Sequence, residues 1–587
     1  MRRAQLLGVL FGFGLVVVAG CGTESQTNIP LGHAPGTGGG SVSSTSSGSG
    51  GWESSSGTSC PDCDKKSTGA GTDQPFDPQN KESANVGLDD DGALVLDQSM
   101  SGIPGIIWIS NTGQNTVSKV DTTTFQELGR YRVGTSDPSR TSVNTEGDVY
   151  VGCRGGQSLM KISSAGKDCP DTNNDGKITT SSGPNDILPF GQDDCVLWHV
   201  PVPNPPLVRG VAAQDVPADP NDPEITGMKN YVWTGGTNHK TVYKYDGKDG
   251  KLLIQTASPA CTYGLALDGK GMLWQSGNVC GAEIGRIDTN QCHDQASCDS
   301  FPVCESSCNE GGCTANCDAA VKERIKLPQS VYGITVDFKQ RVWVGGSGIK
   351  RYDPAAPPAQ RYKAINDVPF VHGIAADGKG HVWGAAVGSG VVRVDGDTMQ
   401  KVIVPVPNAK GMAVDKDGKI WGVSWGNEAH VIVPGYPALN DFNMIPNAVT
   451  GLVSCYTYSD MTGQQLSLAT NKPGYYREIF DRCQDGEPKW MELFWDVVLE
   501  DKTKVRFRVR TAPTVDALKD AKWIAVAEIP SDKSPADLVK AFADAGITQQ
   551  HLLEVEVRLE GWMDADKYTT PHVKSFGISY LCGPAVH

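Results

Sequence analysis

The sequence has few charged residues and no cluster of basic ones. Lys and Arg number 52 against 67 Asp and Glu, which gives a formal net charge of −15, and charged residues make up 20% of the chain. Because phosphate backbones are bound by grouped Lys and Arg, this balance excludes nucleic acid as a partner. So small a charged fraction also argues against a disordered acidic protein. Phosphate-loop and His-Glu-x-x-His motifs are missing as well.

The N-terminal apolar run is too short to span a membrane. Leu6–Val18 has 13 residues against the ~20 that a bilayer requires, and it follows the positive pair Arg2 and Arg3. This pattern predicts a signal peptide over residues 1–20, and therefore an exported protein.

The residues that follow the apolar run, Val18-Ala19-Gly20-Cys21, resemble the lipobox of bacterial lipoproteins. The resemblance implies lipidation of Cys21 and a partner in the membrane, reached through the lipid anchor. We therefore expect a bacterial membrane lipoprotein, exported to the outer membrane or the cell surface. An ordinary secretory cleavage site that happens to precede Cys21 is the alternative.

The stretch after the lipobox has too little apolar surface to fold. Between Pro35 and Ser59, 18 of 25 residues are Gly or Ser, so residues 21–84 are predicted to form a disordered tether. Cys60 and Cys63 near its end are interpreted as a structural disulfide, because no second Cys-x-x-Cys and no His pair lies nearby.

The centre of the chain repeats one pattern. Four segments share a short apolar run, an Asp-x-x-Gly turn or its variant, and a second run that ends in tryptophan; they begin at Tyr263, Tyr332, His372 and Lys410. Each predicts a strand, a tight turn in which the Asp bonds its own backbone and Gly takes a positive φ, and a second strand. The aromatic residues are expected to pack between neighbouring sheets.

The spacing of these aromatic residues predicts propeller blades. Positions 108, 150, 233, 274, 343, 383 and 421 are separated by 42, 83, 41, 69, 40 and 38 residues, close to the ~40–45 of a four-stranded blade apart from two long gaps. We expect an all-β chain with about seven blades over residues 85–437, or six if the Trp108 or Trp233 unit is not a full blade. A parallel β-helix is the alternative, although its repeats are shorter.

These motifs resemble those of the streptogramin-lyase-like and NHL-type β-propellers of bacteria. The nearest matches are Gly264–Asp268 with Trp274, and Gly285–Asp288. They are motifs of a fold and say little about a ligand.

The first long gap, residues 164–206, contains the opening of an EF-hand-like or dockerin-like loop. Oxygen-bearing side chains alternate around a glycine and predict a structural Ca²⁺ site, with these ligands: Asp171, Asn173, Asp175, the Lys177 carbonyl and Thr179. Position twelve is Ser182 instead of Glu, so Asp186, Asp193 or Asp194 would have to replace it. An Asx-rich surface turn is the alternative. A disulfide between Cys169 and Cys195 is expected beside the loop.

The second long gap, residues 289–318, holds six cysteines in 26 residues, at positions 292, 298, 304, 308, 313 and 317. So small a segment lacks an apolar core, and disulfides are expected to hold it. Zinc is the alternative, but the segment has one histidine and no Cys-x₂-Cys pair. Cys261 and Cys280 are expected to pair with each other, and parity leaves Cys153 and one of Cys455, Cys483 and Cys582 for a link to Cys60 or Cys63.

Residues 447–587 lose the repeat and show longer strands of alternating polar and apolar residues, such as Lys504–Arg510 and Leu552–Trp562. This period of two predicts a half-buried antiparallel sheet, and the region as a whole a β-sandwich. A helix is expected over Ser534–Ala545, with Ser534 as its cap. The domain's tryptophans (Trp490, Trp495, Trp523 and Trp562) are expected mostly in the core, with sugar stacking as the alternative.

Two classes of function fit this organisation. A binding or scaffold lipoprotein would hold a glycan or a protein ligand. The resemblance to streptogramin lyases implies instead a carbon–oxygen lyase that opens a cyclic ester with a His base beside a carboxylate and Mg²⁺. The candidates for those roles are His372 and the pair Glu428 and His430, whose side chains would share one face of a strand. The binding function is favoured, because polar histidines at loop ends are common.

Overall fold

The computed structural model describes residues 63–84, 86–96, 104–204, 207–217, 228–469, 474–483, 486–500, 502–564 and 567–583. The predicted signal peptide, the lipidation site Cys21, the Gly/Ser stretch and Cys60 lie outside these residues. Within them the chain is all-β, as predicted, and its α-helices are short: Gln295–Ser300, Gln464–Ala469, Val515–Leu518 and Leu538–Asp544. None of the described helices is long and apolar enough to cross a membrane.

Seven groups of antiparallel strands follow one another along residues 106–450, and we number them sheets 1 to 7. The strands of sheets 1 to 3 are Ile106–Asn111, Thr116–Asp121 and Glu127–Arg132; Pro138–Val143, Val149–Cys153, Ser158–Ile162 and Val196–Pro201; and Val208–Pro217, Met228–Gly236, Thr241–Asp246 and Leu252–Ala257. The strands of sheet 4 are Gly264–Leu267, Met272–Ser276, Glu283–Asp288 and Lys322–Lys326, extended by Val303–Asn309 and Gly312–Cys313.

Sheets 5 to 7 are the most regular. Their strands are Val331–Val336, Val342–Gly346, Ile349–Tyr352 and Tyr362–Ile365; Val371–Ala376, His381–Ala386, Gly390–Asp395 and Lys401–Val404; and Ala409–Val414, Ile420–Ser424, Glu428–Pro434 and Phe442–Thr450. The first strands of successive sheets lie side by side. One core cluster joins Ile107 of sheet 1 to Trp421 of sheet 7. Sheets stacked in this way around an axis form a β-propeller.

The predicted turn forms in each of the four best repeats, and the tryptophans are fully buried between sheets. In the first, one carboxylate oxygen of Asp268 accepts the backbone N–H groups of Lys270 and Met272, and the other accepts the indole N–H of Trp274 at 2.8 Å. Gly271 has a φ of +79°, as predicted. In the second repeat Gln340 takes the positive φ in place of glycine.

The predicted boundaries of the propeller need correction. Its sheets extend over residues 106–450 and not 85–437, because Phe442–Thr450 is the fourth strand of sheet 7. The two insertions are displaced too. The first covers residues 163–195, since Val196–Pro201 belongs to sheet 2, and the second covers residues 289–321, before the strand Lys322–Lys326.

Two further sheets pack around a shared core at the C-terminal end. One contains Asp64–Gly69, Val86–Leu88, Leu94–Leu96, Pro488–Val498, Ala536–Asp537 and His572–Cys582, and the other contains Ser83–Ala84, Gly474–Asp481, Lys504–Ala512, Ile524–Ile529 and Leu552–Glu560. A two-stranded ribbon, Trp562–Asp564 with Lys567–Thr569, follows the second sheet. Trp490 and Trp495 are buried in the core between the sheets.

Residues 63–96 belong to these C-terminal sheets, which corrects their assignment to the tether and to the start of the propeller. Asp64–Gly69 pairs antiparallel with His572–Cys582, and Phe76 packs into the core against Phe576. Backbone pairing at a sheet edge needs no apolar alternation in the strand itself, so the composition of this polar segment did not reveal it.

Two smaller expectations for this region also need correction. The helix begins at Leu538 with Asp537 as its cap, because Ser534 precedes a proline and its hydroxyl accepts the N–H of Trp495. Parity correctly left over Cys153 and one further cysteine, but neither of them forms the link to Cys60 or Cys63 that was expected. Cys483 pairs with Cys582, and Cys153 and Cys455 are buried thiols in the described part of the chain.

Cys63 is also disulfide-bonded, and five further disulfides of the described residues lie in the propeller. Cys169–Cys195 and Cys261–Cys280 are the pairs that the sequence predicts, and the cysteine-rich insertion contains the pairs Cys292–Cys298, Cys304–Cys317 and Cys308–Cys313.

Candidate functional site

The first strands of the sheets bring one sequence position to the propeller axis. This position immediately precedes the glycine of each repeat and is occupied by Arg209, Tyr263, Tyr332, His372 and Lys410. The glycine is required because the strands crowd one another. A Cβ atom on Gly333 would lie 2.3 Å from the carbonyl oxygen of His372 in the next sheet.

A segment that follows sheet 7, residues 451–469, enters the axis; we call it the axial segment. It runs along the first strand of sheet 1, where the N–H of Trp108 donates to the carbonyl oxygen of Met461 at 2.9 Å. Its short strand Tyr458–Ser459 pairs parallel with the first strand of sheet 2. This segment was predicted to begin the C-terminal domain, and it instead supplies Tyr456 and Tyr458 to the site.

Four tyrosine hydroxyl groups meet at the axis. The Tyr456 hydroxyl lies 2.6 Å from that of Tyr332, 2.9 Å from that of Tyr263 and 3.2 Å from that of Tyr458. The hydroxyl groups of Tyr263 and Tyr458 are 2.8 Å apart. We refer to these four residues as the tyrosine cluster.

Three cationic side chains surround the tyrosine cluster. The Arg140 guanidinium stacks 3.3 Å above the ring of Tyr458, Arg209 lies 5.0 Å from the ring of Tyr456, and the Lys410 ammonium lies 4.6 Å from the same ring. All three residues are buried, and none forms an ion pair with a carboxylate of the described residues. Two N–H groups of Arg140 and one of Arg209 have no hydrogen-bond acceptor there.

At one end of the axis, aromatic rings beside the tyrosine cluster are partly exposed. Trp425 is 59% exposed, its ring lies 4.3 Å from the Lys410 ammonium, and it also approaches the ring of Tyr456 at 5.7 Å. Phe370 and His372 continue the rim and are half-buried. We call the surface formed by Trp425, Phe370 and His372 the axial mouth.

The other end of the axis is closed by the axial segment. The side chain of Gln464 donates to the carbonyl oxygen of Ala376, and Gln465 accepts the N–H of Val336. A cavity of about 20 Å³, enough for one water, lies beside the Asp460 carboxyl. Burial raises the pKa of Asp460 to about 6, although backbone N–H groups donate to its carboxyl.

The structure places His372 apart from the pair Glu428 and His430. His372 lies at the axial mouth, where burial and the nearby Lys410 and Arg140 lower its pKa to about 4. Glu428 and His430 lie on the third strand of sheet 7, and a β-bulge between Ala429 and Val431 interrupts its register.

The two side chains of that pair have other partners. Glu428 accepts the Ser424 hydroxyl at 2.8 Å, and the Nδ1 atom of His430 accepts the N–H of Asn447 at 3.1 Å. Within the described residues no carboxylate pairs with His372, so the arrangement expected of a lyase with a His base and Mg²⁺ does not assemble around it. No group of three or more His, Cys, Asp and Glu residues that could hold a metal occurs there either.

The sequence Gly422-Val423-Ser424-Trp425-Gly426 matches the pattern Gly-x-Ser-x-Gly of hydrolases. Ser424 is buried and is the last residue of the strand Ile420–Ser424 of sheet 7, whereas a nucleophilic serine of that kind lies on an exposed turn between a strand and a helix. The sequence match therefore does not make Ser424 a catalytic nucleophile.

The predicted calcium ligands lie on an exposed turn of the first insertion. Asp171 accepts the N–H of Gly176 at 2.8 Å, and Asn173 accepts the N–H of Asp175 at 2.9 Å. Lys177 and Thr179 follow in the same exposed turn, and Asp175 accepts the N–H of Lys177.

Of the three residues that were candidates for the twelfth position, Asp194 lies against both ends of this turn. Its carboxylate accepts the N–H of Thr172 at 3.0 Å and that of Thr179 at 2.8 Å. Asp193 bonds Ser181, and Asp186 bonds the Ser182 hydroxyl.

Of the residues that form the site, sequence reasoning found only His372. Arg209, Tyr263, Tyr332 and Lys410 occupy its equivalent position in sister repeats, and this variation next to a fixed glycine is the signal that could have revealed them. Tyr456 and Tyr458 carry no such signal.

No family model matches the chain. No curated protein matches it either.

Solved structures do show similarity to the chain. A structure described as streptogramin B lyase is 16% identical, covers 61% of this chain and 94% of its own, and has a TM-score of 0.37. Virginiamycin B lyase from Staphylococcus aureus is 13% identical, with coverage of 58% and 90% and a TM-score of 0.35. A functionally unknown protein from Desulfotomaculum acetoxidans is 13% identical, with coverage of 58% and 99% and a TM-score of 0.38. None of these TM-scores reaches 0.5, so the propeller architecture rests on the sheets of this chain alone.

Proposed function

We propose that sheets 1 to 7 are the blades of a seven-bladed propeller, and that the C-terminal sheets are a β-sandwich. The shared core of sheets 7 and 1 supports a closed ring. The axial segment lies along sheet 1, which has three strands of its own, in the position that an innermost strand takes in the other sheets.

We propose further that the protein is an exported bacterial lipoprotein, anchored in the outer membrane or at the cell surface through lipids on Cys21. The support is the charged start, the short apolar run and the lipobox in the sequence. A body with an excess of acidic residues gains no attraction from anionic headgroups, so the lipid would provide the attachment.

The propeller's proposed role is to bind an acidic carbohydrate, such as a uronate-containing glycan, at the axial mouth. The observation that carries this proposal is the exposed Trp425 ring beside Lys410, with two more unpaired cations behind it. Exposed tryptophan rings pack against the apolar faces of sugars, and a buried cation without a counterion favours a bound anion. A protein ligand with grouped carboxylates is the other partner that the sequence allows.

Titration calorimetry tests this role. Oligogalacturonate should bind the protein, whereas neutral malto-oligosaccharides of equal length should not. Trp425→Ala should weaken binding by about tenfold or more, because truncating a central aromatic contact costs roughly 2 kcal/mol. The matched control is Phe190→Ala, which removes an aromatic side chain that is 41% exposed on the first insertion. Equal binding of both sugars, or equal loss in both variants, would contradict the proposal.

We also propose that the first insertion binds a structural Ca²⁺ through Asp171, Asn173, Asp175, Thr179 and the Lys177 carbonyl. Hard cations take carboxylate, amide and carbonyl oxygens of this kind. Added Ca²⁺ should raise the melting temperature of the protein, and Asp175→Ala should abolish that rise, whereas Asp249→Ala on an exposed turn of sheet 3 should keep it. If Ca²⁺ raised the melting temperature of Asp175→Ala as much as that of the native protein, the proposed calcium site would be wrong.

A further inference from the structure

Tyr456 occupies an unusual place among the tyrosines at the axis. Its oxygen atom is the one that three other hydroxyl groups reach, from Tyr263, Tyr332 and Tyr458. An ionised Tyr456 oxygen would accept from all three phenols, and hydrogen bonds to an ionised acceptor are stronger than those between neutral groups.

The charges around Tyr456 favour the same state. Four cationic side chains face it: Arg140 and Arg154 of sheet 2, Arg209 of sheet 3 and Lys410 of sheet 7. The other groups around it are Tyr263 of sheet 4, Tyr332 of sheet 5, His372 of sheet 6, Trp425 of sheet 7 and Tyr458 of the axial segment. Arg154 is neutralised by Asp137. Arg140, Arg209 and Lys410 are not neutralised by any described carboxylate, so a phenolate would be their nearest counterion.

Together these effects bring the pKa of Tyr456 close to neutral pH. Burial would raise the pKa of Tyr456, but Arg140 and Arg209, together with the hydrogen bonds from Tyr263 and Tyr332, lower it to about 7. Its neighbours in the tyrosine cluster behave in the opposite way, since burial raises the pKa of Tyr332 and of Tyr458.

Tyr456 is also the most exposed member of the tyrosine cluster. It is half-buried, whereas the other three tyrosines are buried, and its ring lies 5.7 Å from the exposed ring of Trp425. A sugar stacked on Trp425 would therefore lie near the Tyr456 ring and the Lys410 ammonium.

We propose that Tyr456 is a catalytic base and that the axial mouth cleaves acidic glycans by β-elimination. This inference rests on the proposed function, since it requires that a uronate sugar bind there. The class of substrate follows from the chemistry: a phenolate can remove a proton from a carbon whose acidity a neighbouring carboxylate increases once a cation such as Lys410 pairs with that carboxylate.

The step balances without any other reactant. The Tyr456 phenolate takes the proton from the carbon that bears the carboxylate. The electron pair left behind forms a double bond to the adjacent carbon, and the bond between that carbon and the glycosidic oxygen breaks. The leaving oxygen takes the proton from the Tyr456 phenol, which restores the phenolate, and nothing is oxidised or reduced.

Ultraviolet difference spectra test the ionised state. The protein should show one tyrosinate that titrates with a midpoint near pH 7, and Tyr456→Phe should remove it, whereas Tyr231→Phe, a half-buried tyrosine of sheet 3, should leave it in place. Arg209→Met should shift the midpoint upward, so the inference stays testable if Tyr456→Phe does not fold. Absence of any tyrosinate below pH 9 would overturn it.

The reaction is tested with polygalacturonate, alginate and hyaluronan as probes. We expect ultraviolet-absorbing unsaturated ends to form from at least one of them, at a rate that falls below pH 7. Tyr456→Phe should slow this reaction by about 100-fold or more while keeping affinity within about threefold. Binding without unsaturated ends would overturn the elimination and leave the proposed binding function intact, whereas a failure of all three probes to bind would overturn the proposed function itself.

Discussion

At the scale of the residue, one aspartate organises each of the best repeats. Asp268 accepts two backbone N–H groups with one oxygen and the indole N–H of Trp274 with the other, and the aspartates at 337, 377 and 415 bond their tryptophans in the same way. The carboxylate thereby fixes the turn and orients the ring that fills the space between two sheets. The turn could be predicted from the Asp-x-x-Gly pattern, but the bond to the indole could not, because it depends on the pairing of the two strands.

Asp268→Ala should therefore destabilise the protein strongly. It leaves the indole N–H and two backbone N–H groups without their acceptor in a buried place, and we expect a loss of about 2–4 kcal/mol in the free energy of unfolding. Chemical denaturation measures the loss. The control is Asp121→Ala, which removes similar but exposed turn bonds from Thr123 and Thr124 and should cost roughly 1 kcal/mol or less. Equal losses in the two variants would contradict this role.

Asp460 gives the protein a dependence of stability on pH. Its folded pKa is raised from 3.8 to about 6 by burial, so its contribution to stability is complete below about pH 4 and is lost as the pH rises through about 6. Over the range from pH 4 to 7 this loss amounts to roughly 3 kcal/mol. Asp460→Asn should remove this pH-dependent loss. The free energy of unfolding of the variant should therefore rise by roughly 3 kcal/mol relative to that of the native protein between pH 4 and 7. A difference that stays constant from pH 4 to 7 would contradict the prediction.

At the scale of the element, the axial segment joins parts that are distant in sequence. It bonds the first strand of sheet 1 through Met461 and reaches sheets 5 and 6 through Gln465 and Gln464. Its partners are mostly backbone groups at strand ends, and such contacts require no apolar periodicity. For this reason the sequence predicted neither its path nor the presence of Tyr456 in the site.

Gln465→Ala tests how far this segment holds the ring together. Its side chain bonds Thr335 and Val336, which would be left without that acceptor, so we expect a loss of about 1–3 kcal/mol in unfolding free energy. Gln126→Ala, which changes an exposed glutamine between the second and third strands of sheet 1, is the matched control and should change stability little. Denaturation curves that coincide for the two variants would show that the segment is not held by this side chain.

At the scale of the whole molecule, local patterns could be predicted and distant pairings could not. The all-β class, the turns and the buried tryptophans follow from residues close together in the chain, such as Asp268 and Trp274. The pairing of Asp64–Gly69 with His572–Cys582 joins the two ends of the described chain and has no local signal. The same holds for the site, where His372 was found from its residue type and Arg209 and Lys410 share its repeat position, but the convergence of these side chains on Tyr456 depends on distant pairings.

The proposal that the propeller axis binds an acidic sugar is tested most directly by a crystal structure of the protein with oligogalacturonate. The sugar ring is expected over Trp425, with its carboxylate within hydrogen-bonding distance of the Lys410 ammonium and its nearest carbon facing the Tyr456 oxygen. A sugar bound at Trp523 on the C-terminal sheets, or anywhere else with the axial mouth empty, would contradict the account.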